Sequence, residues 1–352
     1  MSTFSDPAHS DAAGNAPRHK AEDVLPRVEP PGAGFILQLF LIPLLIVSII
    51  VGVWMMFSWL AHLGSDPQEL VTDIARGDKQ GWQKAATLAE LLQNRDHDHL
   101  KSDAGLAGKL ADALERKIDE GDKDFKGDAL EDRLRLRVFL CRALGEFRID
   151  AGMPVLIKAA RTQRKEEETA VRRAAVQALA VLVKNLGPEQ VRDHPELLAT
   201  LRSASQERPP SGEDSENAYA ELRSNAAYAL GMLGGEEALD RLALVLNDSY
   251  ANARYNAATG LARNGDVRAI AGLLEMLDPQ NAAAVAEEES ESEKGWKRSL
   301  VHTNGMTGVE MLREANPDAD LSELKAALET LSGAEGVQSI VSQRAAVVAK
   351  SL

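Results

Sequence analysis

Leu222–Leu233 reads LRSNAAYALGML, and 31 residues further on Ala253–Asn264 reads ARYNAATGLARN. Two earlier stretches align with these without gaps: LRVFLCRALGEF from Leu136 and VRRAAVQALAVL from Val171. Each has an arginine in its second position: Arg137, Arg172, Arg223 and Arg254. Small and apolar residues then recur at helical spacing. The last two copies match well beyond this window, pairing Gly234 with Gly265, Leu242 with Leu273 and Leu246 with Leu277. A repeat of this length, with two helices in each unit, is the signature of an α-solenoid. No helix pair buries its apolar face alone, so neighbouring pairs must stack to bury it. The expected fold is therefore all-α, a solenoid of helix pairs.

The turns between segments agree with this. Asn264-Gly265-Asp266 offers a left-handed glycine after one helix and a cap for the next. Gly187-Pro188 ends one helix and opens another. Asp248-Ser249 stands where it can cap the helix that carries Arg254.

The pattern of an acidic residue followed six positions later by V/L-R-x-x-A-x-x-A-L-G resembles HEAT repeats, especially the short HEAT-like repeats named after phycobilisome lyases. The residues six before each arginine are Glu131, Glu166, Asn217 and Asp248, of which Asn217 departs from the pattern. The resemblance covers residues 130–280. It implies that the acidic turn residue and the arginine tie neighbouring repeats together. It also implies that the arginine-bearing helices line the concave face. Arg137, Arg172, Arg223, Arg254 and Asp248 would then form a repeat-stacking ladder. Some HEAT-like proteins are bilin lyases or lyase partners. The repeats alone do not carry that activity here, since many binding proteins share them.

The arginines are 35, 51 and 31 residues apart. The long interval holds an inserted loop, residues 203–218, and a second, acidic loop covers 281–294 with Glu287, Glu288, Glu289, Glu291 and Glu293. Both should leave the same edge of the stack. They read either as solvated loops or as an acidic fringe that selects a basic partner. Residues 65–125 read as N-terminal helices, a possible degenerate repeat, with helices at Pro67–Asp78, Gly81–Gln93 and Ala104–Asp119. Residues 295–352 read as C-terminal capping helices, including Asp320–Leu331 and Val337–Lys350.

Ahead of the repeats lies a different kind of sequence. No formal charge occurs from Pro30 to Ser65, and Phe35–Leu60 is almost wholly apolar. As a helix those 26 residues extend roughly 39 Å, against a hydrocarbon core of about 30 Å. We read residues 35–62 as a single transmembrane helix. Pro43 should mark a kink or the first turn, and Trp54 and Trp59 suit an interfacial belt. The run is too long for a signal peptide, a long polar stretch precedes it, and no A-x-A site follows. Residues 1–34 read as a disordered tail. Arg18, Lys20 and Arg27 before the helix outnumber Arg76 and Lys79 after it by one, a bias toward a cytoplasmic N-terminus that leaves the side of the soluble domain open.

Chemistry is sparse. A net charge of −14 argues against nucleic acid as a partner. The single cysteine, Cys141, lies among apolar residues as a core residue would. His97-Asp98-His99 could ligate a metal but sits in the charged run RDHDHLKSD, which reads as a solvated loop. No phosphate-binding glycine loop is present, and no cofactor, metal or catalytic residue is expected. All four tyrosines fall between Tyr219 and Tyr255. The helical positions just after each arginine and four later should face outward: Val138, Arg173, Ser224 and Tyr255, then Arg142, Gln177, Tyr228 and Thr259. Arg173, Tyr228 and Tyr255 are the candidate partner surface; the alternative is that the tyrosines fill gaps between helices.

The leading expectation is a membrane-anchored scaffold or adaptor that binds a protein or peptide through its solenoid and has no catalysis of its own. A lyase-like or accessory subunit acting on a prosthetic group is the enzymatic alternative. A structural tether in an envelope assembly is the third.

Overall fold

The computed structural model describes residues 32–62, 66–76, 81–209 and 213–352. The expected tail at 1–34 lies outside them up to residue 31. Among the described residues the chain is helical throughout, with no strand.

The chain divides into two units, Met1–Leu63 and Gly64–Leu352. The first holds α1 (Ala33–His62). Within it Leu37–Ser58, 22 residues long, is apolar enough to cross a membrane, and none of that stretch is buried. Pro43 lies inside the helix, ten residues past its start, and not in its first turn. Trp54 is exposed; the side chain of Trp59 lies outside the described set.

The second unit is built of helix pairs. In chain order α2 (Pro67–Arg76) packs on α3 (Gly81–Gln93), and α4 (Ala104–Glu120) on α5 (Gly127–Gly145). Next, α6 (Met153–Arg161) packs on α7 (Thr169–Leu186). A single turn, α8 (Pro188–Val191), leads to α9 (Pro195–Ala204), which packs on α10 (Glu213–Leu233). Then α11 (Glu236–Val245) joins α12 (Ala251–Arg263), α13 (Ala269–Leu277) joins α14 (Glu291–Ala315), and α15 (Ser322–Gly333) joins α16 (Ser339–Ser351). The second members α3, α5, α7, α10, α12 and α14 pack side by side in that order and form one layer. The first members form the other. This is an all-α solenoid, and the four arginine segments lie on four successive helices of one layer.

Alanine and glycine make the layer possible. An added Cβ on Gly231 of α10 would stand 2.5 Å from the Gly260 Cα of α12. The two backbones touch there, so a side chain at either position would have to push the repeats apart. The core between the layers is leucine and alanine with few aromatics. One apolar cluster runs from Leu70 to Ala349 without a break.

The loops are shorter than the sequence suggests. α9 runs to Ala204 and α10 begins at Glu213, so the first insertion is only the segment between them; residues 210–212 lie outside the described set. The second ends at Ser290, because Glu291 and Glu293 already belong to α14. Ser290 and Glu293 form a capping box there, which recruits the end of the acidic run into a helix N-terminus.

Candidate functional site: the arginine ladder and the outer trough

Three of the four arginines, Arg137, Arg172 and Arg223, are buried and Arg254 is partly so, and each requires a carboxylate. Arg137 is 2% exposed and donates to Glu168 Oε1 at 3.0 Å and to Asp122. Arg172 donates through Nη1 to Glu207 Oε2 at 2.6 Å and through Nε to the Ala160 carbonyl at 2.8 Å. Arg223, fully buried, holds both oxygens of Asp248, at 2.8 and 3.1 Å. Arg254 grips both oxygens of Glu275, its Nε at 2.9 Å from Oε2. The first three partners precede the next arginine-bearing segment, so these contacts cross from one repeat to the next.

The acids are not those six positions before each arginine. Glu131 pairs with Arg135 on its own helix, because α5 already begins at Gly127 and carries Glu131 as a helical surface residue. Glu166 opens a short 3-10 turn whose last residue, Glu168, does the pairing. Asn217 is exposed on α10. Asp248 alone sits where the pattern places it, yet its carboxylate serves Arg223 of the preceding repeat. It reaches its own repeat's Arg254 through its backbone carbonyl, at 2.8 Å. Burial would raise the Asp248 carboxyl, but hydrogen bonds from Arg223 and from the Tyr250 N–H overcome that and hold it below the usual value.

Both insertions turn back into the stack. Glu207, from the first, is the partner of Arg172, and its carbonyl also accepts from Arg223 at 3.2 Å. Asn281, from the second, is buried and donates to the Tyr255 hydroxyl at 2.8 Å.

The candidate partner surface resolves into three different environments. Tyr255 is 5% exposed, its hydroxyl held by Asn281 and 3.2 Å from Glu275. Burial pushes its phenol up to about 12. Most of this ring is core, and what remains open lines the trough along α12, in one depression beside Tyr228. Ser224, one place after Arg223, is buried likewise. In the last two repeats the outward row lies two places after the arginine, at Asn225 and Asn256, and the next at Tyr228 and Thr259, five places after it; in the first two, Val138 and Arg173 are themselves partly exposed and Arg142 and Gln177, four places on, are exposed. Arg173 is half-buried and paired with Glu221 across the gap to α10. Tyr228 is half-buried and faces solvent.

That outward row borders a trough. Its central depression, about 350 Å³, is lined by Asn225 of α10, Tyr250, Asn252 and Asn256 around α12, and Leu300 and Asn304 of α14. A second depression of about 150 Å³ shares Tyr250, Asn252 and Lys297 and extends toward Glu287 and Glu288. A third, about 200 Å³, shares Asn256 and Asn304 and reaches Tyr228 and Arg263. The three therefore form one trough along α12. Trp296, 66% exposed, stands one turn before Leu300 on α14. Sequence reasoning missed Tyr250, Trp296 and the asparagines. The alignment of the last two repeats did hold a signal, since Asn225 and Asn256 share a register.

Cys141 is fully buried, and burial raises its thiol to about 12. His97 and His99 lie 6.3 Å apart, and Asp98 between them is held by Arg148 and Lys101. Among the described residues no cluster of three or more metal-ligating side chains occurs.

Residues 214–290, from α10 through the loop before α14, match the family model for HEAT repeats. This segment is HEAT-like. The HEAT-like segment holds the last two arginines, Asp248 and most of the trough. None of the curated proteins matches the chain. Among solved structures it is similar to two engineered proteins from the Northeast Structural Genomics Consortium. One is 18% identical with a TM-score of 0.33, covering 69% of this chain and 97% of that one. The other is 16% identical with a TM-score of 0.25, covering 81% and 84%.

Proposed function

We propose that this chain is a single-pass membrane scaffold: α1 anchors it, and the HEAT-like solenoid binds a protein partner. The observation that carries the reading is α1 itself. Leu37–Ser58 is apolar around its whole circumference and unburied. Such a surface is unfavourable in water and favourable in hydrocarbon. A long polar stretch precedes it, unlike the short charged region of a signal peptide. An acidic chain has little attraction for anionic headgroups, so hydrophobic insertion supplies the attachment.

HEAT repeats commonly serve protein interaction, and a polar trough lined by Tyr250, Leu300 and several asparagines is the kind of surface on which partners dock. In this reading the chain contributes no catalytic residue, and its role is to hold a partner at the membrane. The likeness to repeats named after phycobilisome lyases extends to the motif and carries no lyase chemistry with it. The test is affinity capture of the full chain from detergent-solubilised membranes, combined with protease treatment of intact cells. A stoichiometric co-purifying protein and a C-terminus on one defined side support the scaffold. Recovery of the chain alone from every detergent, with no protein crosslinked to it in intact membranes, contradicts it.

A further inference from the structure

We propose that the trough along α12 receives an extended polypeptide segment, read through its backbone amides and carrying a basic side chain at the Tyr250 end. This rests on the scaffold reading and names its binding surface and ligand. α12 has 13 residues, so the trough along it is about 20 Å long, room for about six residues of extended chain.

Its lining is chiefly uncharged and hydrogen-bonding. Asn225 and Asn304 face it from α10 and α14, and among the described residues neither has a hydrogen-bond partner in the protein. Between them Asn256 spends its Nδ2 hydrogens on Ser224, at 3.0 Å, which leaves its side-chain oxygen without a donor among the described residues. A primary amide offers donors and an acceptor together, the complement of one peptide unit. Asn225 and Asn304 offer both and Asn256 an acceptor, and the three, from three adjacent helices, line the same depression. Along one side Leu300 provides apolar contact for side chains that alternate outward from an extended chain.

Charge selects the end. The cation that lines the central depression is already engaged, Lys297 with Glu288 at 3.6 Å. At the Tyr250 end Glu287 lies 3.5 Å from the tyrosine hydroxyl, and Glu289 is exposed just beyond. A lysine or arginine placed there meets carboxylates, while an acidic residue meets repulsion.

The experiment pans a phage-displayed library of random dodecapeptides on the full chain in detergent micelles, then measures enriched peptides by fluorescence anisotropy. The comparison is the double variant Asn225→Ala plus Asn304→Ala, whose side chains make no internal hydrogen bond, so its melting curve should match the parent's. Enriched peptides should carry Lys or Arg. They should bind about tenfold or more weakly to the double variant, and likewise when their backbone amides are N-methylated. No enrichment over empty micelles, unchanged affinity for the double variant, a preference for acidic peptides, or binding of a glycan array in place of peptides would each overturn the proposal. A natural partner that the double variant captures undiminished would overturn the trough and leave the scaffold standing.

Discussion

At the scale of single residues, the ladder sets the largest energies. Arg223 and Asp248 are both buried and bond to each other through two hydrogen bonds. Arg223→Ala leaves a buried carboxylate without its cation and should cost about 3–5 kcal/mol, read from urea unfolding followed by circular dichroism. Arg254→Ala should cost less, because that side chain is partly open to water, which screens the loss. Acid should act on the same pair. The folded Asp248 carboxyl lies below its ordinary value of 3.8. The stability it contributes is therefore present above that value and is lost as pH falls through the folded one. Melting temperatures recorded from pH 6 down to pH 3 should fall, and Asp248→Asn should flatten part of that fall; an unchanged slope in the variant would count against the pair. The four arginines were legible because they repeat in register. Of their carboxylates only Asp248 was. Each is supplied by whatever loop or helix the next unit places within reach, so Glu168, Glu207 and Glu275 share no common offset from their arginines.

At the scale of elements, the small residues explain how successive helices come close. Gly231 meets Gly260 with no room for a methyl group, so Gly231→Leu should destabilise by about 1–3 kcal/mol or more through overpacking. Equal thermal stability of that variant and the parent would show that the repeats can slide apart freely. The helix at Gly81–Gln93 could be read from sequence to the residue, because glycine and a clear apolar face bound it. The insertions could not. Their polar composition suggests solvated loops, whereas Glu207 and Asn281 point back into the stack and fasten Arg172 and Tyr255. The first outward row was legible in the two earlier repeats, where Val138 and Arg173 are partly exposed, and misjudged by one position in the last two, where Asn225 and Asn256 are more open than Ser224 and Tyr255.

At the scale of the whole molecule, the two units differ in kind. The solenoid buries a continuous apolar core, while α1 exposes apolar surface along Leu37–Ser58. In a stack whose repeats contact only their neighbours, opening starts at the ends. Hydrogen exchange should therefore be faster in α2–α3 and α15–α16 than in α7–α12, and uniform protection would argue for a single cooperative block. The central claim is that α1 holds the solenoid at a membrane, and alkaline carbonate extraction of cell membranes tests it most directly. The intact chain should stay in the pellet, while a variant with Ile46→Lys, Ile50→Lys and Val53→Lys in α1 should move to the supernatant. Release of the intact chain into the supernatant would contradict the account.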